Sequence, residues 1–176
     1  MNELSLFSGA GGGLLASKLL GWRTIGYVEW EDYPQRVIEQ RIKDGHLDDA
    51  PIYGDVRTFV SEGYARGYRG VAQIVTGGFP CQPFSVAGKG LAEDDQRNMW
   101  PATLDVINEV RPQFALLENV PGLLAHEYTR RIFGDLVESG YDIRWRVLSA
   151  AEMGAPHKRD RLWIVAHSKI MLGKGS

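Results

Sequence analysis

The sequence predicts an α/β domain: a mostly parallel sheet, helices on both faces and an antiparallel edge. Three observations lead there. Short apolar runs such as Phe114-Ala115-Leu116-Leu117 alternate with amphipathic stretches of helical spacing. A glycine run, Gly9-Ala10-Gly11-Gly12-Gly13, separates the first strand-like run from the first helical one, as in loops whose backbone closes on a nucleotide. The last two strand-like runs have no helix-length segment between them, which suits an antiparallel pair.

Taken in order, Leu4-Ser5-Leu6-Phe7 is a short strand entering the glycine run, and Leu14 to Leu20 is helical and stops at Gly21. Thr24 to Val28 is a second buried strand, ended by Glu29-Trp30-Glu31. Pro34 to Lys43 is an amphipathic helix with Val37, Ile38 and Ile42 on one side. Ile52 to Val56 reads as a short strand or strand end. The run from Val71 to Thr76 is a strand that feeds Gly77-Gly78-Phe79-Pro80-Cys81-Gln82-Pro83-Phe84-Ser85. Two glycines and two prolines there rule out a continuing strand or a helix interior, so this is a shaped loop at a strand's carboxyl end. In open α/β sheets ligands bind along that edge. Val86 to Asn98 is polar and long enough for a lid. A helix over Met99 to Val110, the strand Phe114 to Leu117, and a helix over Arg130 to Ser139 closed by Gly140 follow. Tyr141 to Leu148 and Leu162 to Ala166 are the last two strands, and Ser168 to Ser176 is expected to be an unstructured tail.

Composition sets the outer limits. A chain of 176 residues with 44% hydrophobic and 24% charged residues suits one soluble domain. No apolar run reaches membrane-spanning length, so no membrane partner is expected. One cysteine excludes a disulfide framework and fits a reducing compartment. The net charge of −2 lacks the basic surplus of a dedicated DNA binder, although His157-Lys158-Arg159-Asp160-Arg161 is locally basic.

The glycine run does not fit a dinucleotide. G-x-G-x-x-G is met at Gly9 and Gly11 but fails at Leu14. An acid after the second strand, Glu29, remains able to accept both hydroxyls of a ribose. Trp30 offers a flat face to a purine, and Asp55, after the third strand, could read an exocyclic amine. Plainer explanations exist: Glu29 as a helix N-terminal charge, Trp30 as core, Asp55 as a turn residue. Three such residues at successive strand ends together favour an adenosyl ligand. Cys81 is ambiguous in the same way, because a lone cysteine is usually a small buried hydrophobe, yet this one sits in a Pro-fixed loop at the ligand edge.

In their order along the chain these stretches resemble the catalytic core of the DNA (cytosine-5)-methyltransferases, from about Leu4 to Ala166. Phe7-Ser8-Gly9-Ala10-Gly11-Gly12 resembles the first cofactor motif, Glu29-Trp30 the ribose and adenine pair, and Gly54-Asp55-Val56 the adenine-edge contact. Gly78-Phe79-Pro80-Cys81-Gln82 resembles the nucleophile motif and Glu118-Asn119-Val120 the base-binding carboxylate motif. His157 to Arg161 resembles Q-x-R-x-R, with His157 in place of the usual Gln.

The resemblance implies a Rossmann-like S-adenosylmethionine-dependent methyltransferase fold over residues 1–167, with 168–176 as a tail. It implies S-adenosyl-L-methionine as cofactor, held by Phe7, Gly9, Ala10, Gly11, Gly12, Glu29, Trp30, Asp55, Val56, Gly78 and Pro80, and no metal. It implies double-stranded DNA as substrate, with the target cytosine flipped out of the helix. Cys81 would be the nucleophile at C6; Glu118 would bind N3 and N4, Arg161 would neutralise O2 and orient Glu118, and Arg159 would support the cysteine loop or a phosphate. Gln82, Ser85 and Asn119 would lie near the base or the DNA backbone. Such enzymes also carry a target-recognition region and a closing segment, for which no counterpart follows Ala166. Two readings stay open: a methyltransferase that needs a complementary subunit or a further C-terminal part, or an inactive remnant that only binds cofactor or a partner. The missing cover predicts exposed apolar surface near Leu4 to Leu20 and self-association, for instance as a homodimer. A bacterial or phage-encoded cytoplasmic protein is expected, with restriction–modification, self-protection and regulation all open as roles.

Overall fold

The computed structural model describes residues 1–80 and 98–169. Its strands are β1 (Asn2–Leu6), β2 (Arg23–Val28), β3 (Ile52–Tyr53), β4 (Ile74–Gly77), β5 (Phe114–Asn119), β6 (Tyr141–Ser149) and β7 (Asp160–Ser168). The helices are α1 (Gly12–Leu19), α2 (Asp32–Lys43), α3 (Val56–Ser61), α4 (Trp100–Val110) and α5 (Tyr128–Glu138).

The seven strands form one sheet in the order β3-β2-β1-β4-β5-β7-β6. β1 to β5 pair in parallel. β7 runs antiparallel between β5 and the edge strand β6, so the antiparallel strand lies one place in from the edge. The chain reverses its direction of winding between β1 and β4, and the crevice at such a switch point is where open α/β sheets hold ligands.

Period-two alternation explains the layers. Leu4 and Leu6 of β1, Ala115 and Leu117 of β5, and Leu162, Ile164 and Ala166 of β7 join the larger core beneath α3, α4 and α5. The opposite face carries a smaller cluster, Leu14, Tyr27 and Ile38, where α1 and α2 cover the β1–β2–β3 side. Leu14 thus has a packing reason to replace a third glycine. Its side chain would meet a Cβ on Gly11 at 3.6 Å, so it closes onto the loop from the core side. On that same face the β4–β5–β7–β6 side has no covering helix among the described residues.

Most element ends shift by a few residues from the sequence expectation, β4 for example starting at Ile74 and not Val71 and α5 at Tyr128 and not Arg130, and two of the shifts have a clear cause. Val56 opens α3 instead of ending a strand, because the Asp55 side chain accepts the Arg57 N–H at 2.8 Å and caps a helix. Ser168 belongs to β7, paired with Tyr141, and the Lys169 N–H still reaches the Gly140 carbonyl at 3.0 Å, so the end of the sheet extends into the expected tail. No described helix is long and apolar enough to cross a membrane.

Candidate active site

Two adjoining cavities lie along the carboxyl edges of the strands. The first, of about 540 Å³, is lined by Phe7, Gly9, Val28, Glu29, Trp30, Glu31, Pro34, Gly54, Asp55, Val56, Arg57, Pro80 and Met99. The glycine turn shapes its near wall. Phe7 (φ 51°), Gly9 (φ 54°) and Gly11 (φ 90°) all lie in the left-handed region, and for a bulky residue such as Phe7 that conformation is costly and clusters at functional sites. Gly11 caps α1 without a side-chain oxygen, so no side chain of the cap covers the first backbone N–H groups of that helix. Nothing lies within 4 Å of where a Cβ on Gly9 or Gly12 would stand. Ala10 is exposed on the turn's outer side.

Glu29, 8% exposed, is built into the loop. One oxygen accepts the Gly9 N–H at 2.6 Å and the other the Glu31 N–H at 2.9 Å. Its carboxylate therefore clamps the glycine turn to the end of β2 and still faces the cavity. Trp30 is 63% exposed and so is no core residue. Asp55 sits across from it, and the hydrogen bonds from Arg57 hold its carboxyl below the usual carboxylate range. The residues present thus fit an adenosyl group: an open glycine backbone, a carboxylate hydrogen-bonded to the turn, an exposed indole and an acceptor-only edge. Five members of this wall, Val28, Glu31, Pro34, Arg57 and Met99, escaped sequence reasoning as site residues. For Arg57 the signal was its place two residues after a capping aspartate.

The second cavity, also of about 540 Å³, is a groove bordered by Ser5, Phe7, Ser8, Gly12, Leu20, Trp22, Thr76, Gly78, Leu116, Glu118, Arg159, Arg161 and Trp163. Here β5 and β7 bring Glu118 and Arg161 together, Nε to Oε1 at 2.5 Å. The other carboxylate oxygen points at Gly78, where an added Cβ would stand 2.7 Å from Oε2. Gly78 is thus the residue that lets the start of the loop after β4 pass over Glu118. Next in the chain, Phe79 is buried against Trp100 with ring centroids 5.3 Å apart, and the Asn119 amide donates to the Phe79 carbonyl at 3.2 Å. Asn119, 4% exposed, spends its amide oxygen on the Val120 N–H at 2.8 Å, which places it as a fastener of the loop's entry. Arg159 is exposed at the groove's rim and has no ion-pair partner among the described residues, and His157 is exposed beside it. Cys81, Gln82 and Ser85 lie outside the described residues, as does the expected lid apart from Asn98.

On the wall of the second cavity a buried carboxylate, Glu3, accepts hydrogen bonds from Ser17 (2.8 Å), Thr24 (2.9 Å) and Thr76 (2.7 Å). Four segments, β1, α1, β2 and β4, are bolted together under the switch point in this way. Sequence reasoning did not single out Glu3, which precedes the strand as expected from Leu4.

The family model for C-5 cytosine-specific DNA methylases matches residues 1–171 of the chain. Type II methyltransferase M.NgoMIV of Neisseria gonorrhoeae is 34% identical over 167 residues, covering 93% of this chain and 51% of the relative. Type II methyltransferase M.HaeII of Haemophilus aegyptius is 33% identical over 166 residues, 92% of this chain and 49% of the relative. The chain spans about half the length of these relatives. Among solved structures, a DNA modification methyltransferase encoded within an Escherichia coli prophage superposes with a TM-score of 0.74 at 26% identity, over 100% of this chain and 49% of its own. A DNMT2 mutant from Spodoptera frugiperda gives a TM-score of 0.76 at 20% identity, over 95% of this chain and 50% of its own, a likeness of fold alone.

Proposed function

The chain belongs to the C-5 cytosine-specific DNA methylase family, and from that premise we propose that it carries the catalytic half of a DNA cytosine-5 methyltransferase. The observation that carries the reading is the Glu118–Arg161 pair beside Gly78, three residues upstream of Cys81. A carboxyl group and a guanidinium from different strands converge next to the loop that bears the only thiol in the chain.

The proposed chemistry follows from what a cytosine ring requires. Its C5 is too weak a nucleophile to take a methyl group unaided. Cys81, as thiolate, forms a bond to C6, and the C5=C6 electron pair is pushed onto the ring. Glu118 binds the N3 and N4 edge and supplies a proton to N3 as negative charge arrives there, and Arg161 orients Glu118 and stabilises charge at O2. C5 is then electron-rich. S-adenosylmethionine, when bound, supplies the electrophilic methyl that this carbon takes. The C5 proton passes to solvent, N3 returns its proton to Glu118 and Cys81 departs as thiolate, which together restore the aromatic ring. None of these contacts can form inside a duplex, so the cytosine must be extruded.

On the cofactor side, Glu29 would accept the ribose hydroxyls, Trp30 would stack on the adenine and Asp55 would accept its amino group. Phe7, Gly9, Ala10, Gly11, Gly12, Val56, Gly78 and Pro80 would complete the wall. Arg159 is placed for a phosphate or for the cysteine loop; Gln82 and Ser85 would contact the DNA. Target recognition and a cover for the groove between α1 and β7 would come from further residues, on the same chain or on a complementary subunit. The apolar rim of that groove, Leu20, Trp22, Leu116 and Trp163, favours this over a remnant that acts alone as a binding module.

The test is transfer of labelled methyl from S-adenosylmethionine to duplex DNA by the chain, with and without a separately supplied recognition half. Transfer should appear with the complement, and duplexes carrying 5-fluorocytosine should trap the protein covalently through Cys81. Full transfer by Cys81→Ser would overturn the mechanism.

A further inference from the structure

Asp55 and Trp30 are the two surfaces that an adenine ring would need, one for its amino edge and one for its face, and a single side chain already holds both. Arg57 Nε lies 3.0 and 2.9 Å from the two Asp55 oxygens, and Nη2 lies 2.6 Å from Oδ2. The same guanidinium stands over the Trp30 ring, 5.8 Å from its centroid. A guanidinium is planar, donates N–H groups from its edge and stacks by its face, which are the features by which an aminopurine would be recognised here. Glu29 offers a contrast, since its partners are backbone N–H groups fixed by the loop. Arg57 is instead about half exposed at its side chain, and among the described residues Asp55 and Trp30 are its only partners beyond the cap.

Resting on the adenosine reading of this cavity, we propose that Arg57 is an internal plug of the base slot: its guanidinium occupies the Trp30 face and the Asp55 edge and must swing out before an adenine enters. Binding then exchanges one ion pair, exposed on its Arg57 side, and one exposed cation–π contact for the base. Arg57 sets affinity, and salt sensitivity with it, without taking part in methyl transfer.

The probe is 5′-deoxy-5′-methylthioadenosine, which carries the adenosine and no charge, titrated calorimetrically into the full chain and into Arg57→Ala. The cap of α3 survives in this variant, because Asp55 still accepts the backbone N–H of residue 57. Arg57→Ala should bind about three- to tenfold more tightly at low salt, the range that contacts of this exposed kind allow. Raising salt from about 50 to about 500 mM should narrow the gap by strengthening binding to the wild type, as the ion pair is screened. Equal or weaker binding by Arg57→Ala, or a gap indifferent to salt, overturns the plug. Trp30→Ala separates that outcome from a failure of the underlying reading. If the wild type and Arg57→Ala do not bind, or if Trp30→Ala leaves binding unchanged, the cavity is no adenosine site and the plug falls with it.

Discussion

Glu118 and Arg161 pair diagonally across two strands. In register Glu118 faces Trp163, and Arg161 stands two residues away on the same side of β7, which brings its Nε to 2.5 Å from Glu118 Oε1. The pairing uses one carboxylate oxygen and leaves the other toward the groove. If that second oxygen protonates a cytosine, Glu118→Gln should lower methyl transfer by the complemented chain about 10²- to 10⁴-fold, the usual worth of a positioned acid. Affinity for 5′-deoxy-5′-methylthioadenosine should not change. Arg161→Ala should lower transfer comparably, since both the orienting partner and the positive charge are lost. Single-turnover rates decide it, and a Glu118→Gln enzyme within twofold of wild type would remove Glu118 from the chemistry.

Gly78 has a sharper prediction than its flanking glycine. A Cβ there would stand 2.7 Å from Glu118 Oε2, closer than real contacts allow, so the carboxylate must shift. Displacements of that order cost up to about 10²-fold in rate when reacting groups must align. Gly78→Ala should therefore cut kcat about 10- to 100-fold. Its melting temperature should stay within a few degrees of wild type, because Glu118 borders an open groove into which it can move. A drop in melting temperature with kcat intact would mean that the glycine serves folding instead.

The strands and the larger helices were legible because period and punctuation agree there: Leu4 and Leu6 alternate with Glu3 and Ser5, and Gly21 and Gly140 end helical runs. Leu14, at the third glycine position, was legible as a departure, and its packing from α1 into the cluster with Tyr27 and Ile38 supplies the reason. What stayed hidden depends on three-dimensional proximity. Val56 to Ser61 is too short for a helical period, and only its Asp55 cap marked it. Glu3 carried no sequence signal, yet it is 1% exposed and hydrogen-bonded, because its three hydroxyl partners come from α1, β2 and β4. The Glu118–Arg161 contact joins positions on strands whose adjacency follows from β7 inserting between β5 and β6, an order that spacing alone does not encode.

Glu29 binds the loop twice, at Gly9 and at Glu31. Glu29→Gln replaces one acceptor oxygen by an NH₂ that would face a backbone donor, so one of these bonds must break. The glycine turn should loosen, and affinity for 5′-deoxy-5′-methylthioadenosine should fall at least about tenfold, equivalent to about 1.4 kcal/mol. Amide exchange at Gly9 should speed up in the ligand-free protein. Unchanged exchange together with unchanged affinity would show that the clamp is dispensable.

Alkaline stability should report on Tyr27. Burial, with Asp48 adding to it, pushes this phenol up to about 12, and its hydroxyl donates to the Asp48 carbonyl at 2.8 Å. A phenol whose pKa is raised on folding holds its proton more tightly in the native state. The stabilisation is therefore complete below the unfolded value near 10 and is lost as pH climbs through about 12. Urea midpoints should fall between those limits, and Tyr27→Phe should fall less steeply than wild type there while starting lower at pH 7. Parallel slopes for the two proteins would mean that Tyr27 does not govern this limb.

The Glu3 cluster joins stability to the site above it. Its carboxylate is the shared acceptor of Ser17, Thr24 and Thr76 hydroxyls, with no competing partner from water at 1% exposure. Removing it leaves three buried hydroxyls short of their acceptor, and each such loss costs about 1–3 kcal/mol before any relaxation. Glu3→Ala should thus destabilise the domain by about 3–5 kcal/mol, whereas Thr76→Val should cost about 1–2 kcal/mol, because Glu3 keeps its other two donors. The single losses at Ser17, Thr24 and Thr76 should sum to something other than the Glu3→Ala value, since all act through one group. The cluster ties β1 to β4 and to α1, the helix that Gly11 caps at the end of the glycine turn, so Thr76→Val should also weaken 5′-deoxy-5′-methylthioadenosine binding under conditions where it remains fully folded. Urea denaturation of the four variants measures the first part and calorimetric titration the second. A Glu3→Ala protein as stable as wild type would mean that the hydroxyls find other partners and that the switch point does not depend on this carboxylate.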